Sequence, residues 1–144
     1  MHRRLFNEFL TSSNTLEVFE GSKPVFTSNK DRLLPLLEYI EDFAPYHREV
    51  VIFDKIMGRA AALLCVKAHS REVYSPLGSR HAIEALAKYG IEYHLTRIVP
   101  HIQMSNQADM CPMEKLSLDK GPEEFYEAMT SIISKAQAED SGRD

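Results

Sequence analysis

Residues 49–99 alternate short apolar runs with segments that have helical periodicity, and this alternation limits the possible folds most strongly. The segments "EVYSPL" and "IEYHLTRIVPHI" are typical of strands, and "REVVIF" fits either a strand or an extended lead-in. Between them, "DKIMGRAAALLCVKA" and "SRHAIEALAKYG" place apolar residues three and four positions apart. In the second segment, Ser79 is the expected N-cap and Gly90 the expected terminator. Helices that alternate with strands in this way predict an α/β fold.

A hairpin is predicted before this region, in "TLEVFEGSKPVFTS", where Gly21 suits the turn and Pro24 suits the start of the second strand. The next segment, "DRLLPLLEYIEDF", fits a helix with Pro35 in its first turn. A hairpin followed by alternating helices and strands predicts an α/β sandwich around one mixed sheet. We expect one domain over residues 15–138, an arm or short helix at 1–14 and a frayed tail at 139–144.

Composition excludes several classes of protein. With 144 residues, of which 44% are hydrophobic and 26% charged, the chain resembles an ordinary soluble domain. A net charge of −4 argues against nucleic acid and membrane surfaces as partners. The run "AAALLCV" is too short to span a bilayer. Two cysteines and no signal-peptide pattern predict a cytoplasmic protein with free thiols.

Cys111 is the first candidate for chemistry, because it directly precedes Pro112 at a predicted helix start. With Cys111 as N-cap, Glu114 falls at the third helical position and completes a capping-box pattern. The positive end of the helix dipole favours a thiolate at Cys111, whereas the charge of Glu114 opposes it. The pattern therefore fits a weakly activated thiol as well as a helix-start cysteine without chemistry.

A metal site is not predicted from these residues. Structural zinc takes four ligands at short pair spacings, and the chain contains no C-x-x-C. Cys65 stands within the apolar "LLCV" and is predicted to be a core residue. No two of the six histidines are three to five residues apart on one helix face. We therefore expect neither a metal nor a cofactor.

The segment "DKIMGRAAALL" is the second candidate. Asp54 fits the N-cap of a helix, with Lys55 and Arg59 close to its first turn. Gly58 lowers helix stability by roughly 1 kcal/mol relative to alanine, so it suggests close approach of a backbone or a ligand. Helix N–H groups with two cations suit a phosphate or a carboxylate. A capped helix packed tightly on a sheet explains the same residues.

The two candidate segments, "DKIMGRAAALL" (54–64) and "MCPME" (110–114), occur in an order that resembles the family catalogued as domain of unknown function 1893. The resemblance covers roughly residues 15–133. It implies a three-layer α/β/α sandwich with a cytidine deaminase-like fold. Zinc deaminases carry H-x-E at one helix start and P-C-x-x-C at the next. Here the only H-x-E is at His47–Glu49, before an apolar run, and Pro112 follows Cys111, with no second cysteine after it. The resemblance therefore implies the scaffold without the zinc machinery.

The leading hypothesis is a zinc-free, deaminase-like domain that binds a small anionic ligand such as a nucleotide. Whether the two segments share one pocket is left open by the sequence. One predicted wall consists of Asp54, Lys55, Gly58 and Arg59, and the other of Cys111 and Glu114.

Two other hypotheses stay open. In the first, the chain is an enzyme that uses Cys111 as nucleophile, with His101 or His94 as base and Glu114 or Asp109 assisting. Alternatively, it is a non-catalytic assembly module that forms homo-oligomers through an exposed apolar strip. Oligomer formation is compatible with ligand binding as well.

Overall fold

A computed structural model of the chain describes residues 2–44, 46–103 and 111–141. Over these ranges the chain forms six helices and five strands. The strands are β1 (Leu16–Glu20), β2 (Lys23–Ser28), β3 (Val50–Asp54), β4 (Ser70–Ser79) and β5 (Glu92–Val99). The helices are α1 (Arg3–Thr11), α2 (Leu34–Asp42), α3 (Arg59–Lys67), α4 (Arg80–Lys88), α5 (Pro112–Ser117) and α6 (Pro122–Ser141).

The strands form one mixed sheet in the order β2-β1-β3-β4-β5. Strand β1 runs antiparallel to β2 and β3, whereas β3, β4 and β5 are parallel. The predicted hairpin is confirmed, with Gly21 at a φ of +64° in its turn. Pro24 lies in the edge strand β2, where a residue without an N–H group does not interrupt the hydrogen bonds in the centre of the sheet. The α/β sandwich around one mixed sheet is thereby confirmed.

The sheet separates two apolar clusters, because successive residues of a strand face opposite sides. In β3, Val50 and Ile52 pack with the large cluster that contains side chains from α2, α3, α4 and α6. Val51 and Phe53 instead join a smaller cluster with α1. All five residues of β3 are buried, as expected for a central strand that is covered on both faces.

Helix α1 lies within residues 1–14 and alone covers the second face of the sheet among the described helices. Phe6 and Phe9 are buried against the sheet. The ring centroids of Phe6 and Tyr74 are 5.3 Å apart, and those of Phe9 and Phe53 are 5.7 Å apart. The aromatic side chains therefore hold α1 on the sheet. No helix in the described ranges has both the length and the apolar character needed to cross a membrane.

The local predictions for α2 and α4 are confirmed, and the prediction for the start of α3 is wrong. Pro35 lies in the first turn of α2, and the Ser79 hydroxyl accepts a bond of 3.1 Å from the Ala82 N–H as the N-cap of α4. Asp54 does not cap α3, because it is the last residue of β3 and pairs with Leu16. Helix α3 begins four residues later, with Gly58 as its N-cap.

Candidate functional site

Helices α3 and α4 begin next to each other, at the carboxyl edge of the parallel strands. Met57 forms a parallel bridge with Gly78, so the segment before α3 continues alongside β4. The Met57 N–H donates to Leu77 at 2.8 Å, and the Ser79 N–H donates to Met57 at 3.0 Å. Each helix presents free N–H groups and a partial positive charge at its start. Two such helix starts side by side favour an anion.

The anion at this position is the carboxylate of Glu114, which α5 contributes. The Arg59 N–H donates to Glu114 Oε1 at 2.9 Å, and the Ser79 hydroxyl donates to the same oxygen at 2.5 Å. The Ile102 N–H donates to the other oxygen, Oε2. Glu114 is only 2% exposed, so water contributes little to its solvation. Three donors and two helix dipoles compensate instead for burial of the charge.

Gly58 is required by this packing. A Cβ atom at Gly58 would lie 2.9 Å from Ile102 Cγ1 and 3.4 Å from Glu114 Oε1. The first distance is shorter than any ordinary contact between carbon atoms, so a side chain would displace Ile102 or Glu114. The sequence predicted a close approach at Gly58, and the approaching groups belong to the chain itself.

The guanidinium of Arg59 also makes contacts within the chain. Its Nε donates to the Ser117 carbonyl at 2.9 Å, and its Nη2 donates to the Lys120 carbonyl at 3.1 Å. These carbonyls lie at and just after the end of α5, so Arg59 joins α3 to the segment that carries Glu114. Gly58 and Arg59, from one predicted wall, therefore meet Glu114 from the other.

Lys55 is directed elsewhere. Its ammonium donates to the Ser12 carbonyl at 3.0 Å and lies 4.7 Å from the centroid of the Phe9 ring. Both partners belong to α1 or directly follow it. Lys55 thus helps to fix α1 and takes no part in the bonds of Glu114.

Asp54 is buried at the end of β3. Burial raises its pKa to about 7, although the N–H groups of Ile56 and Lys55 act in the opposite direction. The Ile56 N–H donates to Asp54 Oδ1 at the long distance of 3.4 Å. Asp54 is therefore the last residue of β3, with a perturbed carboxyl group, and it does not contribute to the Glu114 site.

Cys111 is the N-cap of α5, as predicted, but the capping box is wrong. Its thiol makes no capping bond, and its own N–H donates to the Ile102 carbonyl at 2.7 Å instead of to Glu114. Glu114 does not turn back toward Cys111 because its carboxylate reaches the start of α3. The thiol is half-buried and free, whereas Cys65 is fully buried in the core, as predicted.

Of the residues proposed to assist Cys111, His94 lies on the other side of the sheet. His94 lies in β5 beside Glu72, and 3.1 Å separates His94 Nε2 from Glu72 Oε2. Its ring stacks on Tyr74, which belongs to the cluster on the α1 face. Helix α5 packs with the helices of the opposite face. Asp109 lies outside the described residues.

Sequence reasoning missed two of the three donors to Glu114. Ser79 was assigned only a capping role, yet its hydroxyl both accepts from the Ala82 N–H and donates to Glu114. The Ile102 donor is a backbone group, which no residue type indicates. The one usable signal was a serine N-cap at the second of two strand-to-helix connections, where open sheets place ligands.

Comparisons with known proteins agree with the fold. The crystal structure of a DUF1893 family protein from Thermotoga maritima matches the chain with a TM-score of 0.80 and 26% sequence identity. The match covers 90% of this chain and 87% of that one. No curated protein matches the chain. The sequence model of the family described as domain of unknown function (DUF1893) matches residues 6–133. Because this match spans most of its length, the chain belongs to the DUF1893 family.

Proposed function

We propose that the chain is a deaminase-like domain without zinc at the starts of α3 and α4, where it binds a small anionic ligand such as a nucleotide. The observation that carries the proposal is the convergence of three donors on one buried carboxylate. The donors come from α3, the N-cap of α4 and the segment after β5. A phosphate or carboxylate of a ligand would accept the same bonds. Glu114 is the internal occupant of this anion site.

The arrangement of the helix starts supports the deaminase-like part of the proposal. Zinc deaminases hold their metal with H-x-E at one helix start and P-C-x-x-C at the next. The corresponding segments here are "MGRAA" before and within α3 and "LGSRHA" before and within α4, in which His81 is the only histidine and no cysteine occurs. Within the described ranges, no group of three metal-ligating side chains gathers at these starts. This residue set favours binding over zinc-dependent hydrolysis.

Ligand binding would require that Glu114 leave the site. A dianionic phosphate offers more acceptor oxygens and more charge than one carboxylate, so it can compete for the same donors. The guanidinium of Arg59 lies at the same helix start and adds positive charge there. Competition of this kind predicts that removing the Glu114 carboxylate strengthens binding of an external anion.

The test is calorimetric titration of the folded chain with inorganic phosphate and with a panel of nucleotides. We expect Glu114→Ala to bind at least one of them about tenfold more tightly than the wild type, which corresponds to about 1.4 kcal/mol. Arg59→Ala should weaken the same binding. The matched control is Glu127→Ala, which removes an exposed glutamate of α6 and should leave the affinity unchanged. If neither the wild type nor Glu114→Ala binds any of these anions, the proposal is wrong.

An assembly function is a second candidate, and strand β5 favours it. Strand β5 pairs only with β4, and in the described part of the chain no strand lies at its other edge. Tyr93 and Ile98 are exposed on it. Unpaired edges with apolar side chains are suited to strand addition by a second copy. Light scattering after size exclusion tests this function. If the wild type is a monomer at high concentration, and Ile98→Lys has the same mass, the assembly function is excluded.

A further inference from the structure

The face of the sheet opposite to the Glu114 site carries a second group of ionisable side chains. Strands β4 and β5 pair in parallel, with Glu72 opposite Glu92 and Tyr74 opposite His94. Tyr74 belongs to the α1 cluster, so Glu72, two residues away, faces the same side. Two carboxylates opposite each other on neighbouring strands repel unless a cation lies between them.

The distances suit a metal cation. His94 Nε2 lies 3.1 Å from Glu72 Oε2 and 3.5 Å from Glu92 Oε2. The ligand atoms of Glu72, Glu92 and His94 all lie within 4.8 Å of one another. Zinc bonds of about 2.0–2.2 Å place tetrahedral ligand atoms roughly 3.3–3.6 Å apart. The cluster therefore needs only small side-chain shifts to surround a zinc-sized ion.

His2 provides an independent indication of a positive group at this position. Its ring is 2% exposed, and its Nε2 lies 2.8 Å from the Gly21 carbonyl oxygen, so Nε2 must carry the hydrogen of that bond. Its Nδ1 faces Glu72 Oε1 at 3.5 Å, and no described residue offers Nδ1 a hydrogen bond. In the neutral ring, a lone pair of Nδ1 thus faces a carboxylate oxygen. Either a proton or a metal cation must lie between them.

From these contacts we propose that Glu72, Glu92 and His94 bind a divalent transition-metal cation such as Zn²⁺, with the Nδ1 of His2 facing the other oxygen of Glu72. Carboxylate oxygens and imidazole nitrogens are both ordinary zinc ligands. Stacking of the His94 ring on Tyr74, with centroids 4.2 Å apart, orients the imidazole in advance. The side chains of His94 and Glu92 are 42% and 67% exposed, so a cation can reach them from solvent.

Such a cation would join strands β4 and β5, and Glu72 would connect it to His2 at the start of α1. His2 immediately precedes α1 and faces Glu72 of β4, which also contacts His94 of β5. Zinc should therefore stabilise the folded chain, because only the folded chain brings the three ligand side chains together. This site is separate from the Glu114 site and does not depend on the proposed function.

The experiment uses the full chain, first stripped of metal with a chelator and then titrated with ZnCl₂ by calorimetry. We expect one ion per chain, a higher melting temperature with zinc, and at least a tenfold weaker affinity in Glu72→Gln and in His94→Ala. His47→Ala is the matched control, because His47 forms a similar surface pair with Glu20 at 2.9 Å. Its affinity should equal that of the wild type.

Two further measurements keep the test decisive. Circular dichroism checks that each variant folds, and Glu92→Gln changes a side chain that is 67% exposed, so it should fold even if Glu72→Gln does not. Nitrogen NMR of the imidazole rings should show a zinc-dependent shift at His94 Nε2. The proposal is overturned if zinc does not bind, if all ligand variants keep the wild-type affinity, or if only other histidines shift.

Discussion

Replacing Glu114 by alanine should destabilise the fold by about 4–5 kcal/mol. The substitution leaves three donors at the starts of α3 and α4 without their acceptor, namely the Arg59 N–H, the Ser79 hydroxyl and the Ile102 N–H. A hydrogen bond to a charged group contributes about 1.5–3 kcal/mol. Three such bonds at the lower limit give the stated loss, and water that enters the space reduces it at most in part.

Glu114→Gln separates the contribution of charge from that of shape. The amide oxygen can still accept from Arg59 and Ser79, but the NH₂ group then faces the Ile102 N–H, so two donors meet. One bond and the charge at two helix starts are lost, for which we expect about 2–3 kcal/mol. The glutamine variant should therefore lie between the wild type and the alanine variant.

Equilibrium unfolding in urea, followed by circular dichroism, measures these differences. With a slope near 2 kcal/mol per molar urea, the midpoint of Glu114→Ala should fall by about 2 M. Glu127→Ala is the control and should stay within about 0.5 kcal/mol of the wild type, since Glu127 is exposed. A loss below about 1 kcal/mol in Glu114→Ala, with an unchanged slope, would refute the view that Glu114 satisfies these donors.

Three further predictions concern other residues. The pKa of Asp54 is about 7 in the folded chain and 3.8 ordinarily, so between these values the folded state binds a proton that the unfolded state has lost. The free energy of unfolding should therefore decrease by up to about 4 kcal/mol as the pH rises from about 4 to about 7. Asp54→Asn should flatten this profile in pH-dependent urea titrations, and an unchanged profile would contradict the assignment. Gly58→Ala should lower stability by about 1–3 kcal/mol through overpacking, whereas Gly121→Ala, with 3.8 Å to its nearest atom, should be close to neutral by melting temperature. Iodoacetamide should label half-buried Cys111 but not Cys65, because burial raises the pKa of the Cys65 thiol well above its ordinary value. Two labelled thiols in the native state, detected by mass spectrometry, would disprove this.

Much of the fold was predictable because its signals are local. Gly21 and Pro24 mark the hairpin, Pro35 marks the first turn of α2, and Ser79 caps α4. Each of these residues acts within a few positions of the chain, where sequence patterns are informative. The mixed sheet follows from the order of the elements alone.

The start of α3 was predicted wrongly because a distant strand decides it. Asp54 precedes a helical segment, which is the usual local signal for an N-cap. The bonds of Met57 with Leu77 and Ser79 extend the strand-like backbone by several residues before the helix begins. A tertiary contact of this kind overrides the local preference of the sequence.

The bonds of Glu114 and the group around Glu72 could not be predicted from spacing. Glu114 and Arg59 are 55 positions apart, and Glu72 and His94 are 22 apart. Both contacts depend on which strands are neighbours and on their register. A weak signal was present in "EVY" and "EYH". Glu72 and Tyr74 are two residues apart, as are Glu92 and His94, so each pair lies on one face of its strand.

The long separation between Glu114 and its donors has a consequence for the order of folding. Strand β3 pairs with β4, and β4 with β5, so each strand contacts the next one along the chain. These strands, with α3 and α4 between them, can assemble while α5 is still unattached. Until α5 docks, water must satisfy the starts of α3 and α4. We therefore expect Glu114→Gln to accelerate unfolding in stopped-flow experiments while leaving the folding rate almost unchanged. On this view Glu114 contributes mainly to how long the native state persists, and little to how quickly it forms.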